Sequence, residues 1–154
     1  MTKHFKPAPD SNNPELTPVI VMKNLLYWAA RLIAAVILFQ TLFFKFSGAE
    51  ESVYIFTTVG MEPWGRFGVG IFELIASLLL VINRTAWLGA IIAIGLMLGA
   101  IGMHLTILGI EVQGDGGYLF LLALIVTFAS LYVTWVNRDV IRQVLQRYTR
   151  SVAR

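Results

Sequence analysis

Apolar residues are collected into four long runs along this chain, at residues 19–44, 67–82, 86–110 and 118–136. Each run is apolar on every side of a helix, whereas a helix in water carries polar residues on its solvent face. About 20 mostly apolar residues, at a rise of 1.5 Å each, are needed to cross a bilayer. Three runs reach that length, and the second lies at the short end of the range. The pattern predicts an all-α fold, a transmembrane bundle of four helices embedded in a lipid bilayer.

The segments outside the runs divide the chain further. Residues 1–18 are polar and carry four prolines, which predicts a disordered tail, and residues 19–137 form the membrane domain. Residues 138–154 place arginines between apolar residues at helical spacing, which predicts an amphipathic helix on the inner leaflet, or alternatively a docking surface for a soluble partner. The first connection, residues 47–66, contains the apolar segment 52–56, for which we expect a short helix at the outer membrane interface.

Positive charge falls mostly on one side of a four-span arrangement. Nine lysines and arginines lie in the N-terminal flank, the connection at Arg84 and the C-terminal tail, whereas the other side has only Lys45 and Arg66. Because Lys and Arg accumulate in cytoplasmic loops, we expect both termini to be cytoplasmic.

Composition excludes several classes of chemistry. The chain has no cysteine, so by itself it provides no disulfide, thiol redox centre or iron–sulfur cluster. Its two histidines are His4, in the tail, and His104, so a bis-histidine haem site is not expected. No metal-ligand spacing, nucleophile–base set or phosphate-binding loop is present, and nothing predicts nucleic-acid binding.

Small residues form two stripes on the third span. Gly95, Gly99 and Gly102 lie on one side, and Gly89 and Ala93 lie about a third of a turn away. Since close approach of backbones through small residues drives helix association in lipid, the two stripes predict two packed neighbours and a position well inside the bundle.

Five polar side chains within the predicted spans are candidates for a functional site, and an ionisable group costs roughly 2.5–3.5 kcal/mol there. With 1.5 Å per residue, Gln40, Lys45, Glu73 and His104 are expected in the outer leaflet, and Arg31 lies about 21 Å nearer the cytoplasm than Lys45. In one interpretation, Lys45 and Glu73 form an ion pair that only fixes packing. In the other, the four groups line a pocket where Glu73 and His104 exchange protons and a quinone carbonyl or polar small molecule binds. We expect Arg31 to reach the inner headgroups or to pair within the bundle.

These residues resemble a known family. The similarity is to the DoxX family, and it covers residues from about Tyr27 to Val136. It is carried by Arg31, the aromatic end of the first span at residues 43–48, the start of the second span at 70–74, and a small-residue third span that ends in His104. The resemblance implies a four-helix bacterial inner-membrane protein whose motif positions here are Arg31, Lys45, Glu73 and His104. Some members are associated with quinone-linked oxidation of sulfur compounds or with membrane redox complexes.

The leading hypothesis is a membrane subunit with a quinone or small-molecule pocket near the outer leaflet. Glu73 and His104 would carry protons, and Lys45, Gln40 and Arg31 are candidate binding residues. Since the chain has no redox centre of its own, electrons come from a protein partner or pass between bound molecules, and the quinone is not covalently attached. The alternatives are a non-enzymatic anchor or assembly subunit and, less favoured because no proline breaks a span, a small transporter. The expected partner is a protein of a redox complex or a second copy of the chain in a homo-oligomer.

Overall fold

A computed structural model describes residues 16–152, which form helices and turns with no strand in that range. The helices are α1 (Leu16–Ser47), α2 (Glu50–Thr58), α3 (Trp64–Val81), α4 (Ala86–Met103, continued by a π-helical turn at His104–Leu108), α5 (Tyr118–Val136) and α6 (Arg138–Val152).

The prediction of four helices able to cross a membrane is confirmed. Helices α1, α3, α4 with its π-helical turn, and α5 are each long and apolar enough to span. The fourth predicted run coincides with α5. Residues 1–15 of the predicted tail lie outside the described residues, and α1 begins at Leu16, inside the segment assigned to that tail.

The four long helices form a ring. Helices α1 and α4 each pack against both α3 and α5, and chain-adjacent spans are antiparallel. The end of the ring with residues 82–85 and α6 is called the hairpin end, and the end with α2 and the loop 109–117 is called the α2 end. The predicted two neighbours of α4 are confirmed as α3 and α5. Its predicted inner position is wrong, because 17% of an 18-residue stretch of α4 is buried, against 33% for α1.

Packing is closest near the hairpin end. The core there consists of alanines with a few larger residues, among them Leu80 and Val126. Gly89 is needed at the α3–α4 contact, since a Cβ at that position would lie 2.7 Å from the backbone nitrogen of Leu80 and 2.8 Å from the carbonyl oxygen of Ala76. This stripe of α4 packs as expected.

The other stripe of α4 makes no helix contact. A Cβ built on Gly95, Gly99 or Gly102 meets no atom within 4 Å, and Gly95 and Gly99 are exposed. The prediction that this stripe holds a second neighbour is therefore wrong. Small residues leave open space at this flank of α4.

The two short helices differ in how they meet the bundle. The expected helix around residues 52–56 is present as α2, and it buries Ser52 and Phe56. Helix α6 is highly exposed and packs chiefly against α5, with the guanidinium of Arg138 over the ring of Trp135 at 5.0 Å.

Candidate functional site

A cavity of about 620 Å³ occupies the α2 end of the bundle. Helices α1, α3, α4 and α5 supply its walls, and α2 covers part of it. The lining is mostly apolar, with polar side chains at a few places. The polar lining residues are Gln40, Thr41, Lys45, Glu51, Ser52, Glu73, His104, Asp115 and Tyr118. An apolar cavity with a few convergent polar groups is typical of a small-molecule site.

Lys45 and Glu73 form an ion pair across α1 and α3. The Lys45 Nζ atom lies 3.0 Å from Glu73 Oε2, and both side chains are largely buried. The Thr41 hydroxyl, one turn before Lys45, donates to the same oxygen at 3.0 Å. The close approach of the helices depends on Gly70, where a Cβ would lie 3.2 Å from the Phe46 ring.

The ion pair occupies only one side of the carboxylate. Within residues 16–152, no hydrogen bond to Glu73 Oε1 is found, and the closest contact of Lys45 is with the other oxygen. Since Glu73 lines the cavity, this oxygen is available to a ligand. A carboxylate held in place by Lys45 and Thr41 can therefore accept a hydrogen bond from a ligand or exchange a proton with it.

His104 lies where α4 changes into its π-helical turn. Its Nδ1–H donates to the carbonyl oxygen of Gly109 at 2.8 Å, and its ring meets the edge of Phe120 at 5.6 Å between centroids. Because a carbonyl oxygen only accepts, this bond assigns a proton to Nδ1 and leaves Nε2 free for a ligand. π-Helical turns are frequent at functional sites.

Glu73 and His104 share the cavity but do not bond to each other in the described part of the chain. Direct proton exchange between them therefore requires a molecule between the two side chains. The arrangement fits two proton-carrying groups that face one ligand from α3 and α4.

Asp115 also lines this cavity, and sequence reasoning missed it. Its carboxylate accepts the backbone N–H groups of Val112, Gly117 and Leu119 at 2.8–2.9 Å. Burial raises the pKa of Asp115, but these three bonds outweigh burial, and nearby His104 adds to their effect, so the pKa lies below its usual value. An aspartate shortly before a helix start is a capping signal, which could have identified it.

Gln40 is exposed at the edge of the cavity. It also lines a groove of about 290 Å³ between α1 and α3, together with apolar residues and Ser77. No partner for its carboxamide is found within residues 16–152. Gln40 is thus the residue common to the cavity and the groove.

Arg31 lies apart from the cavity, near the hairpin end. It is fully buried, and its guanidinium donates to the carbonyl oxygens of Leu80 and Val81 at 2.7 Å each and to Asn83 at 2.5 Å. The ring of Trp28 lies 4.1 Å away. Of the two expected arrangements of Arg31, the structure shows pairing within the bundle, where it satisfies the carbonyls that the end of α3 leaves open.

Arg66 has the corresponding place at the α2 end, and the sequence reasoning treated it only as a loop charge. Its guanidinium donates to Glu62 at 2.7–3.0 Å and to the backbone carbonyl of Lys45, near the end of α1. The hydrogen bond from Arg66 holds the pKa of Glu62 below its usual value, with burial opposing. The i, i+4 spacing of Glu62 and Arg66 was the available sequence signal.

The chemistry of the site is limited by its side chains. Within the described residues no group of three or more His, Asp or Glu side chains is arranged to hold a metal ion. What the cavity offers is one cation, carboxylates, an imidazole and hydroxyl groups around apolar space.

Comparison with known proteins gives one match. The family model described as DoxX matches residues 26–107, a segment that contains Arg31, Gln40, Lys45, Glu73 and His104. No curated protein matches the chain. No solved structure matches it either.

Proposed function

Since the chain belongs to the DoxX family and has four helices able to span a membrane, we propose that it is the membrane subunit of a redox system and that it binds a quinone or a similar carbonyl compound in the cavity at the α2 end. The observation that carries this proposal is the presence of Lys45, Glu73 and His104 around one cavity, with Glu73 Oε1 and His104 Nε2 free to meet a ligand.

The side chains suit the reaction that a quinone undergoes. Reduction to a quinol takes up two electrons and two protons, and a carbonyl oxygen in the cavity can accept a hydrogen bond from Lys45 or from protonated His104. Glu73 and His104 supply or remove the protons. Because no redox centre is built from this chain's side chains, the electrons come from a protein partner or from a second bound substrate.

We further propose that the protein lies in a bacterial inner membrane with both termini in the cytoplasm. The uneven distribution of Lys and Arg supports this orientation, which puts the cavity in the outer leaflet. Because the chain contains no cysteine, Arg84→Cys and Glu111→Cys each introduce a single thiol. A membrane-impermeant maleimide added to intact spheroplasts should label the Glu111→Cys protein and leave the Arg84→Cys protein unlabelled until lysis. Labelling of both variants from outside would refute the orientation.

The binding proposal is tested with Glu73→Gln. This substitution keeps the shape of the side chain but removes the charge that would accept a hydrogen bond from a quinol hydroxyl, so we expect quinol bound to the purified protein to fall at least tenfold, a loss typical of one buried charged contact. Glu111→Gln is the matched control, since Glu111 is exposed and outside the cavity lining. If the wild-type protein neither retains nor turns over a quinone, the redox function is wrong.

A second candidate function is that of an anchor or assembly subunit, and α6 is the observation that favours it. This helix exposes arginines and apolar residues at helical spacing, which suits an anionic membrane surface or a docking partner. In this case, deletion of residues 138–154 abolishes function in cells while Glu73→Gln and His104→Ala have no effect. The redox proposal predicts strong effects from the two substitutions.

A further inference from the structure

The groove between α1 and α3 shares a single lining residue, Gln40, with the cavity at the α2 end. The groove has about half the volume of the cavity, at about 290 Å³. Its other lining residues are apolar except Ser77. The cavity with its polar groups and the apolar groove are therefore neighbours on either side of Gln40.

The groove runs along the axes of α1 and α3, as a lipid chain does in a bilayer. Leu32 and Gln40 mark its two ends on α1 and are about 12 Å apart at 1.5 Å per residue. On α3 the groove runs from Ser77 to Val81. It thus leads away from the α2 end, from the level of Gln40 toward the hairpin end, where α3 ends at Val81.

The carboxamide of Gln40 can bind a ligand at the point where the groove and the cavity meet. An amide that faces hydrocarbon without a hydrogen-bond partner is costly, and Gln40 is exposed on a spanning helix with no partner in the described residues. A carboxamide both donates and accepts, so it can bond to the polar end of a molecule that passes between bilayer and cavity.

We infer that the ligand of the cavity is an amphiphile that enters sideways from the bilayer past Gln40, with its polar head in the cavity and its apolar tail in the groove between α1 and α3. This inference rests on the proposed function and adds the entry route and the class of ligand to it. Since lipid chains are as apolar as the groove, the groove selects a tail by shape, and a side chain that fills the groove should exclude it.

The test uses two pairs of tryptophan substitutions at lipid-facing positions. Leu32 and Ile33 are each 46% exposed, but only Leu32 lines the groove. On α3, Leu78 lines the groove and is 55% exposed, and Ile71, at 50%, does not line it. Because all four side chains are at the surface, the substitutions should leave the fold intact.

The probes are a benzoquinone with a decyl chain and the same benzoquinone with a methyl group in its place, each bound to protein in lipid nanodiscs. Each probe is compared only between variants, so that its partitioning into the bilayer cancels. We expect Leu32→Trp and Leu78→Trp to weaken binding of the decyl probe roughly tenfold or more and to leave the methyl probe unchanged. Ile33→Trp and Ile71→Trp should affect neither probe.

Other outcomes overturn the inference. If the groove variants bind the decyl probe as tightly as the wild type, or if they weaken both probes equally, the tail does not lie in the groove. Binding of the reduced methyl probe that still depends on Glu73 would then leave the proposed function standing. If the wild-type protein binds neither probe, the proposed function fails and the inference fails with it.

Discussion

Arg31 at the hairpin end and Lys45 at the α2 end are both cations within a spanning helix, but their surroundings differ. All three nitrogens of the Arg31 guanidinium bond to groups at the end of α3, in a core packed with alanine. Lys45 pairs with a carboxylate whose other oxygen faces a cavity. A cation whose three nitrogens all bond to the protein's own groups stabilises the fold, whereas an ion pair beside a cavity has bonding capacity left for a ligand.

The largest expected effect is that of Arg31→Met. The substitution leaves the carbonyls of Leu80 and Val81 and the side chain of Asn83 without their donor, so we expect the unfolding free energy to fall by about 3–5 kcal/mol. Titration with sodium dodecyl sulfate in mixed micelles measures this change. Lys45→Met is the comparison at the other end and should lower the unfolding free energy less, because Lys45 makes one ion pair at a cavity wall whereas Arg31 makes three hydrogen bonds in the core. A larger loss from Lys45→Met would contradict the distinction between the two ends.

Alanine substitutions in the two small-residue stripes of α4 should change the free energy of unfolding in opposite directions. Gly89→Ala puts a methyl group 2.7 Å from the backbone of Leu80, and we expect a loss of about 1–3 kcal/mol. Gly99→Ala meets no atom within 4 Å and should stabilise the helix by up to about 1 kcal/mol. The same micelle titration compares both variants. If both destabilise the protein, the flank at Gly99 is packed and the cavity does not reach it.

Asp115→Ala tests the loop at the α2 end. Loss of three backbone bonds should cost about 1–2 kcal/mol at pH 7. Because the folded-state pKa is lowered, the stabilisation is fully present above the usual aspartate value of about 3.9 and is lost as pH falls through the folded-state pKa. Unfolding titrations at pH 7 and at pH 3 should show that the difference in unfolding free energy between wild type and variant is smaller at pH 3. Asp139→Ala, on exposed α6, is the control and should show little effect at either pH.

The smallest effect is expected in the packed core. The hydroxyl oxygen of Ser130 is buried without a hydrogen-bond partner in the described residues, so Ser130→Ala should be neutral or stabilise by up to about 1 kcal/mol. Ser77 provides the contrast, since its hydroxyl donates to the carbonyl of Leu74 at 2.8 Å and Ser77→Ala should cost about 0.5–1.5 kcal/mol. A clear loss from Ser130→Ala would mean that the hydroxyl has a partner, such as an internal water.

The sequence predicted the helices well because hydrocarbon imposes a simple requirement on length and composition. The run 118–136 coincides with α5, and the apolar segment in the first connection is part of α2. The pairing of Lys45 with Glu73 was also among the predicted alternatives, since charges of opposite sign at one depth of a bundle have few other partners.

The open space beside α4 and the hydrogen-bond partners of Arg31 and Arg66 could not be predicted from the sequence. A stripe such as Gly95 and Gly99 has the same pattern whether a helix packs on it or a cavity lies beside it. The partners of Arg31 and Arg66 are backbone carbonyls near the ends of other helices, and carbonyl positions depend on where those helices stop rather than on residue type.

The two arginines also link the same pair of helices in opposite senses. Arg31 on α1 holds the end of α3, and Arg66 on α3 holds Lys45 near the end of α1. Fixed at both ends, α1 and α3 should move as one rigid body. Any change in the width of the cavity would then come from hinge motion of α2, α4 and α5 against this body, and the groove on its lipid side would keep its shape while the cavity opens and closes.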